Sequence, residues 1–127
     1  MSNETLDQAK DILAAMNGQH GILGCLLVST ADGRLLASSL PSDVDTGMIA
    51  SLCATLFSNN SVSIRKMNRG DLAQMTLVTE RGILHFYQTG PAVLVVLTAR
   101  GQRVSLEGLL RLAEEKGQAL SGIMASS

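Results

Sequence analysis

The sequence predicts an α+β fold in which a five-stranded antiparallel sheet carries helices on both faces, in the order helix, two strands, helix, three strands, helix. Three observations carry that expectation. Three segments place apolar residues at helical spacing. Short runs of strand-forming residues, closed by turn signals, lie between them. Two of those runs, at 22–29 and 92–98, are apolar on both faces, as strands are when both sides are covered. The 127 residues fit one compact domain, 1–127, since domains commonly run to about 100–150 residues.

Residues 5–17, "TLDQAKDILAAMN", set Leu6, Ala9, Ile12, Leu13 and Met16 at helical spacing, with Thr5 and Gln8 as a capping box and Gly18 as the stop. "ILGCLLVS" and "RLLAS" read as a strand pair joined across "TADG", where Asp32-Gly33 is a hairpin signal. Pro41 closes that pair, and Ser42 followed three residues later by Asp45 marks the start of a second helix. In it Met48, Ile49, Leu52, Cys53, Leu56 and Phe57 recur every three or four residues. Wound at about 100° per residue, they cover more than half the circumference, wider than one sheet face requires, so a second partner is expected. Ala50, Ala54 and Ser58, four apart, would let another helix approach closely; small residues at such positions also serve as plain surface filler.

The second helix or its tail is expected to end near Arg69-Gly70. "LAQMTLVT" (72–79), "ILHFYQ" (83–88) and "AVLVVLT" (92–98) follow as strands. Ser105 opens a last helix whose buried side carries Leu106, Leu109, Leu110, Leu112, Ala113, Leu120 and Ile123. The strand at 34–38 is short and the one at 72–79 carries Gln74, Thr76 and Thr79, so both belong at edges. A sheet ordered 2-1-5-4-3 satisfies this with every neighbour antiparallel, the long helix crossing from one edge to the other.

Composition narrows the function. With 46% hydrophobic and 17% charged residues the chain is an ordered globular protein. Its formal charge of −1 leaves no electrostatic footprint for nucleic acid, and its aromatics, Phe57, Phe86 and Tyr87, are too few for a base-stacking platform. No secretory signal opens the chain, and no segment approaches the roughly 20 apolar residues of a membrane span. Cys25 and Cys53 sit in apolar runs and read as inert core thiols, which suits a reducing, cytoplasmic compartment.

The stretch "GQHGILGCLLVSTADGRLLAS" holds Gly18, Gly21, Gly24 and Gly33, a density that raises the question of nucleotide binding. Phosphate loops run from a strand through a glycine turn into a helix; here the glycines precede a strand. Gly18 reads as a helix stop, Gly21 as a strand entry, Gly24 as a point of close helix packing and Gly33 as a left-handed turn position. His20 and His85 stand in no metal-ligand spacing, and His85 reads as a packed or surface residue rather than a base. No nucleophile-elbow signature occurs, so no catalytic, cofactor-binding or metal-binding residue is assigned. "NRGDL" at 68–72 is ordinary turn chemistry before a strand, although it spells an adhesion tripeptide. Arg65, Lys66 and Arg69 either offset the negative end of the second helix or dock an acidic or phosphate-bearing partner.

With these residues placed, "GILGCLLVSTADGRLLAS" and "GPAVLVVLTARGQRVSLEGLLRLAEEKGQAL" resemble the Roadblock/dynein light-chain family over nearly the whole chain, most specifically at Gly21, Gly24, Ser29, Asp32 and Gly33. The resemblance implies a profilin-like α/β/α sandwich (αββαβββα) that pairs as a homodimer or heterodimer, third strands joined edge to edge and second helices side by side. Ala50, Ala54, Phe57, Ser58, Ser61, Leu72, Gln74, Thr76 and Val78 would form that interface. Bacterial proteins of this kind regulate or scaffold small Ras-like GTPases, sometimes as GTPase activators; eukaryotic ones serve as dynein light chains or lysosomal GTPase scaffolds. The expectation is a bacterial, cytoplasmic, non-enzymatic module that binds a small Ras-like GTPase and modulates its hydrolysis or localisation. Arg65, Lys66 and Arg69 are the expected contacts, and Arg65, Arg69, Arg81 and Arg103 the candidates for an arginine supplied to the phosphates. Two alternatives stand beside it: a small-molecule sensor holding its ligand between sheet and helix, and a purely architectural subunit.

Overall fold

The chain runs through α1 (Asn3–Met16), β1 (Ile22–Ser29), β2 (Leu35–Ser38), α2 (Thr46–Lys66), β3 (Gln74–Val78), β4 (Gly82–Thr89) and β5 (Ala92–Ala99), then helical residues at 111, 114–120 and 122. The computed structural model describes residues 3–17, 21–41, 43–99, 111, 114–120 and 122. The strands form one antiparallel sheet ordered β2-β1-β5-β4-β3, as the sequence predicts. β1 and β5 lie together at its centre because both of their faces are apolar. Strand alternation sends Leu26, Val28, Val93 and Val95 to one side and Cys25, Leu27, Leu94 and Val96 to the other, all 3% exposed or less.

Each face has its own core. Ala9, Leu13 and Met16 of α1, with Leu120 from the C-terminal helical segment, pack on Cys25, Leu27, Leu94 and Val96. Ala50, Cys53 and Phe57 of α2 pack on Leu26, Val28, Phe86 and Val95 across the sheet, with the Phe57 and Phe86 rings stacked at 6.3 Å between centroids. Burying a side chain of this size contributes roughly 1.5–3 kcal/mol, so neither helix layer is optional.

Several local expectations are corrected. α1 begins at Asn3, which makes Thr5 a buried helical position instead of a cap. The cap of α2 is Asp45, whose carboxylate accepts from the Met48 N–H at 3.1 Å and whose charge suits the positive helix end; Ser42 lies outside the described residues. α2 stops at Lys66, short of Arg69-Gly70, because Asn68 turns left-handed (φ 57) while the Met67 N–H bonds back to Ser63 and Ile64. The β1–β2 connection is longer than a two-residue turn. The Ser29 N–H reaches the Arg34 carbonyl at 2.9 Å and the Gly33 N–H reaches the Ser29 carbonyl at 3.0 Å, with Gly33 at φ +70 as its turn role predicts. Gly24 makes room for Leu40 of the β2–α2 connection and not for a helix: a Cβ there would run into Leu40 Cδ2. The expected roles of Gly18, His20, Arg103, Ser105, Leu106, Leu109, Leu110, Leu112, Ala113 and Ile123 lie outside the described residues.

Tyr87 is buried on the α1 side, and its hydroxyl has no hydrogen-bond partner among the described residues; burial pushes its pKa up to about 12. A buried hydroxyl without a partner costs stability, so removing it relieves that cost. Tyr87→Phe is expected to leave the melting temperature unchanged or raise it. A fall of more than about 4 °C, equivalent to roughly 1 kcal/mol, would show that the hydroxyl is bonded after all.

Candidate functional site

The geometry that can do something lies at the β3 edge and along α2. Among the described residues β3 pairs with β4 alone, from Gln74↔Tyr87 to Val78↔Ile83. The Gln88 N–H donates to the Ala73 carbonyl at 2.9 Å and the Thr79 N–H to the Gly82 carbonyl at 2.8 Å, so the odd-numbered positions bond towards β4. Antiparallel alternation then turns the N–H and C=O groups of Gln74, Thr76 and Val78 outward, to the open side. Edges are usually blunted by charge or proline. Gln74–Val78 has neither, and Val78 is 65% exposed.

α2 carries no charged residue from Thr46 through Ile64, although Met48, Leu52, Leu56 and Val62 stand exposed on it, Leu52 at 56%. The proposed small-residue seam does not survive as one stripe. Ala50 is fully buried and Phe57 nearly so, both turned into the chain's own sheet, whereas Ala54 is half-buried and Ser58 exposed. A four-residue step drifts about 40° around a helix, so Ala50, Ala54 and Ser58 wind from the core to the outside. Ala54, Ser58, Ser61 and Arg65 flank a groove of about 400 Å³ at the ends of β1, β4 and β5. Leu52 and Leu56 lie on the opposite flank. α2 sits nearest β1 and β2, leaving Met75, Leu77, Leu84 and Leu97 of β3, β4 and β5 only half-buried. The missing sequence signal was the run of nineteen uncharged positions, 46–64, on a helix with an exposed side.

The three basic candidates are dispersed. Arg65 reaches the groove, its Nε 2.9 Å from Asp71 Oδ1 with both side chains exposed. Lys66 follows about 100° around the helix, and Arg69 lies exposed beyond its end. Arg81 is exposed in the β3–β4 turn, at the far end of β3. The structure therefore does not gather Arg65, Arg69 and Arg81 at one point.

Titratable groups inside the fold are buried. Cys25 and Cys53 occupy opposite cores; desolvation pushes the Cys25 thiol up to about 11 and raises Cys53 too, which suppresses the reactive thiolate. His85, on β4, is 3% exposed, with Nδ1 3.4 Å from Thr76 Oγ1, Nε2 3.4 Å from Thr98 Oγ1 and its ring stacked on Tyr87. It is a packed histidine. Among the described residues no group of three or more His, Cys, Asp or Glu could hold a metal ion, and no helix is long and apolar enough to cross a membrane.

A five-stranded sheet in this order with helices on both faces defines a profilin-like α/β/α domain of the Roadblock type. The Roadblock/LC7 domain matches residues 8–98, and the chain belongs to that family. Two uncharacterised proteins of Methanocaldococcus jannaschii, MJ0310 and MJ1340, are each 30% identical to it over 105 residues, 83% of this chain and 89% of theirs. Among solved structures it is similar to Myxococcus xanthus MglB, with a TM-score of 0.88 at 20% identity, covering 99% of this chain and 94% of that one. The gliding protein MglB of Thermus thermophilus superposes with a TM-score of 0.85 at 17% identity, covering 100% and 96%. The sequence relatives are archaeal and the structures bacterial, so membership of the family does not single out the bacterial setting expected from the sequence.

His85 gives the fold a pH dependence whose sign follows from its burial, which lowers its pKa below 6.5. Above that value both folded and unfolded chains hold it neutral. As pH falls through it, the unfolded chain takes up a proton that the folded chain resists, and stability drops. The melting temperature is expected to fall between about pH 7.5 and pH 5. His85→Gln should flatten that fall, and a variant with an unaltered slope would assign it to other groups.

Proposed function

We propose that the chain works as a homodimer that binds a small Ras-like GTPase and modulates its GTP hydrolysis or its localisation, with no active site of its own. One observation carries the reading: the open, uncharged β3 edge lies beside an apolar face that α2 covers only in part. Family membership supports the regulatory role, and so does the likeness of fold to MglB.

Two copies of β3 in antiparallel register, Thr76 opposite Thr76 and Gln74 opposite Val78, satisfy the outward N–H and C=O groups of both strands. The two α2 helices then lie side by side over Leu77, Leu84 and Leu97, with Met48, Leu52 and Leu56 at their seam. Gln74, Thr76 and Val78 keep the interface role expected of them, whereas Leu72 lines the groove beside α2. The helix contribution moves from Ala54, Ser58 and Ser61 to the opposite flank. Arg65, Lys66 and Arg69, exposed at the C-terminal end of α2, supply positive charge for an acidic patch on the GTPase.

Thr76→Pro separates pairing from folding, because the N–H that proline removes points away from β4. The variant should keep its circular dichroism and sediment as a monomer. Leu52→Glu should also dissociate the dimer, since an unpaired charge in a buried seam costs roughly 3–5 kcal/mol, whereas Ala54→Glu should not. The reverse pattern would return the seam to the small-residue flank. For the partner, the protein is mixed with the Ras-like GTPase encoded nearest to it. Co-elution or altered nucleotide turnover is expected, and the absence of both overturns the GTPase reading.

A further inference from the structure

The groove beside α2 lies on the flank turned away from the proposed seam, so pairing leaves it open. Its floor is apolar, formed by Val28, Phe57, Leu72 and Val93. Its walls can accept hydrogen bonds: the Ser61 hydroxyl donates its proton to the Phe57 carbonyl at 2.8 Å and the Thr30 hydroxyl to the Pro91 carbonyl at 2.9 Å, which leaves the oxygen lone pairs of both groove-lining residues free to accept. One end is cationic. Asp71 engages only Nε of Arg65, steadying the guanidinium while its terminal N–H groups stay available for a second carboxylate. Arg65 is the one basic and Asp71 the one acidic residue lining the groove among the described residues.

A purely apolar ligand would leave the lone pairs and the terminal N–H groups of the guanidinium unmatched, and a cation would leave those N–H groups unmatched too. A peptide matches all three features at once: an apolar side chain for the floor, backbone N–H donors for the Ser61 and Thr30 oxygens, and a carboxylate for Arg65. We propose that this groove docks a short segment of a protein partner in which a bulky apolar residue stands next to an aspartate or glutamate. The inference rests on Arg65 contacting a protein partner, as proposed above, and does not depend on dimerisation or on that partner being a GTPase. The groove volume of about 400 Å³ falls in the range of pockets that enclose small ligands, about 300–1,000 Å³.

The test is a titration of the ¹⁵N-labelled full chain with acetyl-Ala-Leu-Glu-Ala-amide and, separately, with acetyl-Ala-Leu-Lys-Ala-amide, followed by amide chemical shifts. The glutamate peptide should shift the Ser29, Ser58 and Arg65 amides saturably and bind roughly two- to fivefold more tightly than the lysine peptide, as a solvent-exposed ion pair allows. Arg65→Gln should erase that preference. Ser58→Trp, which fills the groove from an exposed helix position, should abolish both responses while leaving sedimentation unchanged. Equal binding of the two peptides, shifts confined to another surface, or no saturable shift by about 10 mM peptide would each overturn the proposal. Because the readout contains no GTPase, failure here leaves the GTPase reading standing, and failure of that reading leaves this result interpretable.

Discussion

β1 and β5 pair at seven positions with apolar side chains on both faces, and water has to be kept from both. That requirement places α1 and the C-terminal helical segment on one side and α2 on the other, because an exposed face of valines and leucines would cost roughly 25 cal/mol for each Å² left in water. It also sets the edges. With the two most apolar strands in the middle, the short β2 and the more polar β3 are driven outward, and the connection between them must cross the sheet. α2 is that connection, and its position over β1 and β2 is why the opposite corner of its face stays half covered.

The half-covered corner and the free edge adjoin, so a second chain meeting one meets the other. Backbone groups at an edge specify direction and register but little identity; apolar side chains over the sheet add energy and depend on shape. Their combination in one place suits a self-complementary partner better than either would alone. On the other flank of α2 the chemistry changes to hydroxyls around an apolar floor with a guanidinium at the end. One helix without a charged residue between Thr46 and Ile64 thus separates two surfaces of different character.

Much of this was legible in the sequence, and what was not has a physical reason. Strand identity and order follow from period-two patterning and from which runs are apolar on both sides, information that each segment carries by itself. Caps were harder because Ser42 and Asp45 are both good capping residues, and only the path of the backbone selects Asp45. The end of α2 turned on Asn68 adopting a left-handed conformation, which asparagine tolerates but does not announce. Ala50, Ala54 and Ser58 looked like one stripe because four-residue spacing approximates a helical turn; over two turns the residual drift separates a buried alanine from an exposed serine. The groove could not be read at all, since Val28, Phe57, Leu72 and Val93 come from four separate parts of the chain whose meeting is a property of the assembled sheet.

The two cysteines carry a consequence of the two-sided architecture. Cys25 belongs to the layer under α1 and Cys53 to the layer under α2, and each is shielded from reagents for as long as its own helix stays seated. A thiol probe applied to the native chain therefore reads the two layers separately: alkylation at one site records lifting of one helix, and simultaneous alkylation at both records loss of the whole sheet. The fold contains its own pair of sentinels for deciding whether it opens leaf by leaf or all at once.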